Sequence, residues 1–400
     1  MKIKGHVHND YTQIADSFSK NFEKYGEIGA SLCVYHHNEK VIDIWGGHKD
    51  LEKNKEWDED TVVPIFSTTK AIAASCLAFC HSRGLFDYKR KVCDYWPEFG
   101  VNNKEAITIE QLLQHRAGLS VIDKKLDIKT IKNRRLLDSI IAEQRPHWQP
   151  GDYQGYHVWN IGWYISSLLK RIDPEGRFLK EFVEEEVLLN IEGEIRIGVD
   201  ETYDWAKIAT LKPFSKLKGL FSMPSRFVFE FFKPWSLSFR SMLNPSFVTN
   251  HSNFNKPEIL QLEIGAGGGI ANARGLASLM DSLTNESHPL CLKQDTFEYL
   301  TKYPKKPEKG WEDVVFKQDA FRFHAGFMKP SDKHDFSKST KAFGGFGAGG
   351  SFVFNDPDSK LTIGYTMNHM ASEMMNMKRE VNIRDSVYKT IEPKLPKYAG

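Results

Sequence analysis

The sequence predicts a mixed α/β (α+β) fold: an antiparallel sheet built from both chain ends, flanked by helices, with a second, mainly helical lobe between them. Strand–turn–strand patterns at opposite ends of the chain, separated by a long stretch of helical apolar periods, carry that prediction. A length of 400 residues, 40% of them hydrophobic, suffices for roughly two domains and a sizeable core.

Between Tyr11 and Tyr25, Ile14, Phe18 and Phe22 recur every fourth position, the spacing of one helix face. Residues 29–47 then alternate through two β-rich runs about a turn at His37-Asn38-Glu39, which predicts a hairpin. Helical periods follow at 69–83, 109–114, 132–144, 159–171 and 269–283, punctuated by Pro97, Pro150-Gly151, Pro174 and Pro245. A second hairpin, 351–354 with 360–367, turns on Asn355-Asp356-Pro357-Asp358, and a last helix spans about 378–391. Residues 1–66 and 316–400 are therefore expected to form a sheet-containing lobe and 67–315 a mainly helical one. The cleft between them is the default place for a ligand.

Lysine plus arginine (54) nearly balances aspartate plus glutamate (52), which leaves +2 and none of the broad positive field of a nucleic-acid binder. The two N-terminal lysines precede no apolar run, so no secretory signal is expected, and no stretch is apolar enough for a transmembrane helix. Cys33, Cys76, Cys80, Cys93 and Cys291 are odd in number and scattered, which fits reduced, buried thiols in a cytoplasmic protein. Cys76 and Cys80 share a helix face without a second pair of ligands, and His6/His8 and His36/His37 lack partners at ligand spacing. No metal and no cofactor is expected.

One stretch departs from the average: 211–242 carries six basic residues against the single acid Glu230, interleaved with eight aromatic residues. Such a mixture suits either a membrane surface or a lid whose aromatics pack over the cleft while the charges stay wet, and the lid is the preferred reading.

The sharpest local feature is Ser67-Thr68-Thr69-Lys70. Ser67 stands where an extended segment gives way to a helix-forming run, and Lys70 lies one turn on, on the same face. A serine hydroxyl needs a base to become a nucleophile, and a desolvated lysine of lowered pKa can be that base. The same spacing recurs at Ser17/Lys20, Ser167/Lys170, Ser215/Lys218 and Ser386/Lys389, where it is incidental. Residues 71–82 after Lys70 hold no formally charged side chain, which marks a buried helix rather than a solvated face. The alternative is an ordinary N-cap serine followed by a solvated lysine.

With these residues in view the sequence resembles the serine beta-lactamase-like, penicillin-recognising superfamily, and within it the esterase-like branch. The landmarks run in order: Trp45-Gly46-Gly47, Phe66 to Lys70, Tyr95 to Phe99, Leu112 to Leu119, Trp148 to Gly151, Tyr156-His157, Phe343 to Ser351 and Tyr365 to Met370. The resemblance implies a beta-lactamase/transpeptidase-like fold, with Ser67 as acylated nucleophile, Lys70 as its base and Tyr156 as the proton shuttle of the second motif. A phenol titrates near 10, so Tyr156 would need nearby ammonium groups or dipoles to act as a base. The third motif, usually Lys-Thr-Gly or His-x-Gly, corresponds to Gly345, Phe346 and Gly347, and Gly345 cannot bind a substrate carboxylate. Ala348 would add its backbone N–H to that of Ser67 as an oxyanion hole. Gly345, Phe346, Gly347 and His157 are the expected substrate contacts, and His115 a support of the cleft. Val158 stands where beta-lactamases place an asparagine. Both departures favour neutral, apolar acyl groups over beta-lactams.

The run from Gly265 to Gly275 contains a Gly-x-Gly element, yet lacks a clear preceding strand and a P-loop lysine, so it reads as a turn capping a helix. The expected function is a carboxylesterase acting on a small-molecule ester or amide through an acyl-enzyme. A D-amino-acid-type peptidase, an acyltransferase and a beta-lactamase are alternatives, because water, an amine or an alcohol can resolve the same intermediate. A rival of another class is a catalytically silent scaffold or membrane-surface binding protein.

Overall fold

In the computed structural model, which describes residues 2–373 and 375–392 without the side chains of Lys216 and Phe221, the two chain ends meet in one sheet. The strands are β1 (Ile3–Val7), β2 (Gly29–His36), β3 (Glu39–Gly47), β4 (Val63–Pro64), β5 (Ile195–Ile197), β6 (Gly269–Ala271), β7 (Arg322–His324), β8 (Phe327–Lys329), β9 (Phe343–Phe346), β10 (Phe352–Asp356) and β11 (Leu361–Met367). The main sheet runs β1-β3-β2-β11-β10-β9-β8-β7, all antiparallel, and a small second sheet runs β4-β6-β5. The first and last hairpins pair at its centre, with Leu32 opposite Tyr365 and Cys33 opposite Gly364.

Alternation along these strands sets the layers, because successive side chains point to opposite faces. On one face Tyr365 meets Phe18 of the helix Thr12–Tyr25, ring centroids 6.3 Å apart, and that helix packs along Lys378–Ile391. On the other, Cys33 and Tyr35 cluster with Ala273 and Ala277 of the helix Ala273–Ser282. Gly364 permits the close approach, since a Cβ there would stand 2.6 Å from the Ala273 carbonyl oxygen. Buried Glu27 fastens the two ends, accepting from the Tyr365 hydroxyl at 2.6 Å and from Arg379 at 2.5 Å. Removing one partner of a buried pair costs about 3–5 kcal/mol.

The predicted helix 269–283 begins later than its periodicity suggests. Gly269–Ala271 is strand β6, too short to register as alternation, and Asn272 caps the helix by accepting the Gly275 N–H at 2.8 Å. The period at 132–144 is divided by Asn133, which caps Arg134–Glu143. Strand β1 and the short strands β7 to β9 were not anticipated. The stretch 211–242 holds the helices Lys216–Ser222 and Ser225–Phe231 and most of Leu237–Leu243; the side chains of Lys216 and Phe221, counted in its composition, lie outside the described residues. All five cysteines are unpaired, but Cys93 and Cys291 are only half-buried, contrary to expectation. Among the described residues no helix is long and apolar enough to cross a membrane.

Candidate active site

The helix Thr69–Ser82 is buried at every residue except His81, as its uncharged, alanine-rich run requires. A 3-10 turn, Phe66–Thr68, leads into it, and Phe66 adopts φ +45°, a left-handed conformation costly for an aromatic residue. Hydrogen bonds hold the turn. Thr69 Oγ1 donates to the Phe66 carbonyl at 2.6 Å, Thr68 Oγ1 to that of Ser351 at 3.0 Å, and Ser351 Oγ to that of Ile65 at 2.8 Å. Ser67 is left half-buried at the mouth of a cavity.

Lys70 Nζ lies 3.1 Å from Ser67 Oγ and 2.8 Å from each of the carbonyl oxygens of Val158 and Ala266. Burial, with no carboxylate to offset it, pulls its pKa well below the ordinary lysine value of 10.5. Were it neutral, the amine would have two N–H donors for the two carbonyls and one lone pair left for the serine hydroxyl. Buried lysines occur elsewhere in the chain. Lys104 and Lys329 are also depressed by burial, to about 8 and about 7, but each donates to three backbone carbonyls and serves structure. Lys70 differs in having a cavity-facing hydroxyl as its third partner.

Tyr156 lines the cavity beside Ser67, and Lys70 Nζ sits 4.8 Å from the centre of its ring. Burial raises its pKa above the ordinary phenol value and Asp313 adds to the rise, while the neighbouring Ser67 side chain opposes it. No cation is among the causes, so the condition for a basic phenolate is not met and the phenol stays protonated at neutral pH. Asp313, 1% exposed, holds the tyrosine's backbone: it accepts the N–H groups of Tyr156 at 2.9 Å and of Val315 and Phe316 at 2.8 Å each. Burial pushes its carboxyl up to about 6. His115 packs 4.9 Å from the Tyr156 ring and accepts the His157 N–H at Nδ1, in keeping with a supporting place.

The end of β9 lies against the serine turn. A Cβ on Gly347 would stand 2.1 Å from the Ile65 carbonyl oxygen and 2.8 Å from Thr68 Oγ1, so only glycine lets the backbone of 347–348 come this close. Among the described residues the N–H groups of Ser67 and Ala348 have no turn, loop or strand acceptor, and both residues line the cavity. Two expected substrate contacts are misplaced. Gly345 faces the helix, where its Cβ would be 2.8 Å from that of Ala71, and does not line the cavity. His157 is fully buried, with Nδ1 donating to the Gly155 carbonyl at 2.6 Å, because it points away from the face that Tyr156 occupies. Phe346 borders the cavity, though its ring packs 4.3 Å from His334 and 4.7 Å from Phe336.

The cavity, ≈ 130 Å³, is lined by Phe66, Val158, Trp159, Phe316, Phe321 and Met328, and on its outer side by Phe214, Met223 and Met242 from the basic-aromatic stretch and its helices. His251 also lines it, held neutral by burial at about 4. Asp313, His251 and the carbonyls of Val158 and Ala266 carry no motif; a backbone oxygen has no sequence signature at all. Among the described residues no group of His, Cys, Asp or Glu is placed to hold a metal ion.

A family model described as Beta-lactamase matches residues 14–388. The chain belongs to the beta-lactamase family. Among curated relatives, this beta-lactamase-family chain is 26% identical over 383 residues to Esterase/beta-lactamase LipL of Mycobacterium tuberculosis (strain ATCC 25618 / H37Rv), covering 94% of this chain and 85% of the relative. Among solved structures it resembles a family VIII carboxylesterase (TM-score 0.85, 26% identity, 98% of this chain and 100% of the other). It resembles EstA from Arthrobacter nitroguajacolicus Rue61a to a similar degree (TM-score 0.84, 26% identity, 99% and 100%).

Proposed function

We propose that this beta-lactamase-related serine carboxylesterase works through an acyl-enzyme on Ser67. Lys70, presenting its lone pair to the hydroxyl, takes the Ser67 proton as Oγ bonds to the ester carbonyl carbon. The carbonyl oxygen becomes an oxyanion and accepts from the N–H groups of Ser67 and Ala348, which need no side chain to do so. As the C–O bond to the alcohol breaks, Tyr156 gives its proton to the leaving oxygen, and the ammonium of Lys70 returns one to the phenolate. Water then attacks the acyl-enzyme by the same route and frees the acid.

The observation that carries this reading is the donor count at Lys70, two carbonyls and one hydroxyl about a depressed amine. The apolar lining supports neutral acyl groups of short to medium length. Unpaired cysteines support a reducing, cytoplasmic setting. Ser67→Ala is expected to lower kcat/KM for a p-nitrophenyl ester by at least about 10⁴-fold with an unchanged circular dichroism spectrum. Activity within tenfold of wild type would rule the mechanism out.

A further inference from the structure

The lid reading of 211–242 accounts for only part of its aromatic content. Phe214 and Met223 line the cavity, and Phe227 is buried with its ring stacked 5.4 Å from that of Phe316. Phe231 and Phe239 are half-buried against each other, whereas Phe229 and Phe232 are 69% exposed each and Trp235 76%, beside Leu217 at 64%. Among the described residues no other phenylalanine or tryptophan is exposed to this degree. Phe229, Phe232 and Trp235 follow at three-residue intervals, and Lys233 Nζ lies 4.3 Å above the Phe229 ring.

A groove of ≈ 700 Å³ borders the start of the same stretch, where Lys212, Phe214, Ser215 and Lys218 line it. Lys24, Lys212, Lys218 and Lys378 line it, all exposed and none in a salt bridge with another described residue, against one acid, Glu373. Phe214, Ser372 and Glu373 belong to both this groove and the cavity of Ser67, so the groove opens beside the cavity mouth.

We infer that this face docks on an anionic phospholipid surface, with Phe229, Phe232 and Trp235 set into the interface and the lysine groove taking lipid phosphate, so that the Ser67 cavity opens toward esters carried by the membrane. Aromatic side chains standing singly among lysines fit the boundary between headgroups and acyl chains, where the ring is dry and the ammonium meets phosphate. A second copy of the chain fits worse, because a two-fold contact would set this basic stretch against itself. The delivery of membrane esters rests on the carboxylesterase reading; the docking does not, and Ser67→Ala protein should bind vesicles like wild type.

The test is sedimentation with phosphatidylglycerol-containing vesicles and with pure phosphatidylcholine vesicles, alongside sedimentation velocity without lipid. Wild type is expected to bind the anionic vesicles at least tenfold more tightly than the neutral ones, and less so at high salt. The triple variant Phe229→Ser, Phe232→Ser, Trp235→Ser and the double variant Lys212→Glu, Lys218→Glu should each lose that binding tenfold or more. The triple variant changes no cavity residue and should keep wild-type hydrolysis of a soluble p-nitrophenyl ester, which also reports its folding. No binding of wild type to anionic vesicles, equal binding by the folded triple variant, or a wild-type dimer that the triple variant converts to monomer would each overturn the inference.

Discussion

Lys70 Nζ stands 3.1 Å from Ser67 Oγ while the carbonyls of Val158 and Ala266, from two distant parts of the chain, occupy its other two hydrogen-bonding directions. A charged ammonium would offer a third donor to the serine; the neutral amine offers a lone pair instead. Burial shifts the balance toward the amine by lowering the lysine pKa well below its ordinary value.

Activity should therefore rise with pH through one acid limb whose midpoint lies well below 10.5, because the base works only when deprotonated and its folded pKa is depressed. Lys70→Arg cannot lose its proton and should be about 10²–10⁴-fold slower at every pH. The check is kcat/KM for wild type and variant from pH 5 to 10.

Tyr156→Phe removes only a hydroxyl that burial keeps protonated. We expect kcat to fall by about 10²–10⁴-fold with KM little changed, since the phenol acts on the leaving group rather than on binding. A leaving alcohol of low pKa should suffer less, which a series of substituted phenyl esters would measure.

How far this arrangement could be read in the sequence depended on whether a feature belongs to side chains. The two hairpins were legible because β-rich runs flank turn residues, although β10 runs on through Asn355 and Asp356, which pair with Thr362 and Leu361, so the second turn begins at Pro357 rather than Asn355. The helix at 69–82 was legible because nothing charged follows Lys70. Strand β6 escaped because Gly-Ile-Ala is three residues long and leads into helical periodicity. His157 and Gly345 were misjudged together: each neighbours a cavity residue, and adjacent positions of extended chain face opposite ways. Asp313 was missed because it acts only by accepting three backbone N–H groups, which depends on the folded path of 313–316.

Asp313 has a testable signature. Its folded pKa, about 6, lies above its ordinary value of 3.8, so its protonated form is favoured in the fold. That contribution is fully present below about pH 4 and is lost as pH rises through about 6. Wild type should thus lose thermal stability across this window, and Asp313→Asn should lack that slope. Having fewer acceptors for the three N–H groups, the variant should also be less stable by about 1–3 kcal/mol and should show a lower kcat as Tyr156 shifts.

Gly347→Ala places a methyl group against the Ile65 carbonyl and Thr68 Oγ1, which must push the Ala348 N–H away from the serine turn. A fall of about 10²–10³-fold in kcat is expected, the size of losing one oxyanion donor. Esterase assays with a matched melting curve separate this from unfolding.

The central claim is that Ser67 is an activated nucleophile. The most direct test is to treat wild type and Ser67→Ala with a fluorophosphonate and weigh the intact proteins, mapping any adduct by peptide mass. One adduct on wild type, located at Ser67, and none on the variant is the expected result. An equal adduct on Ser67→Ala, or none on folded wild type, would contradict it.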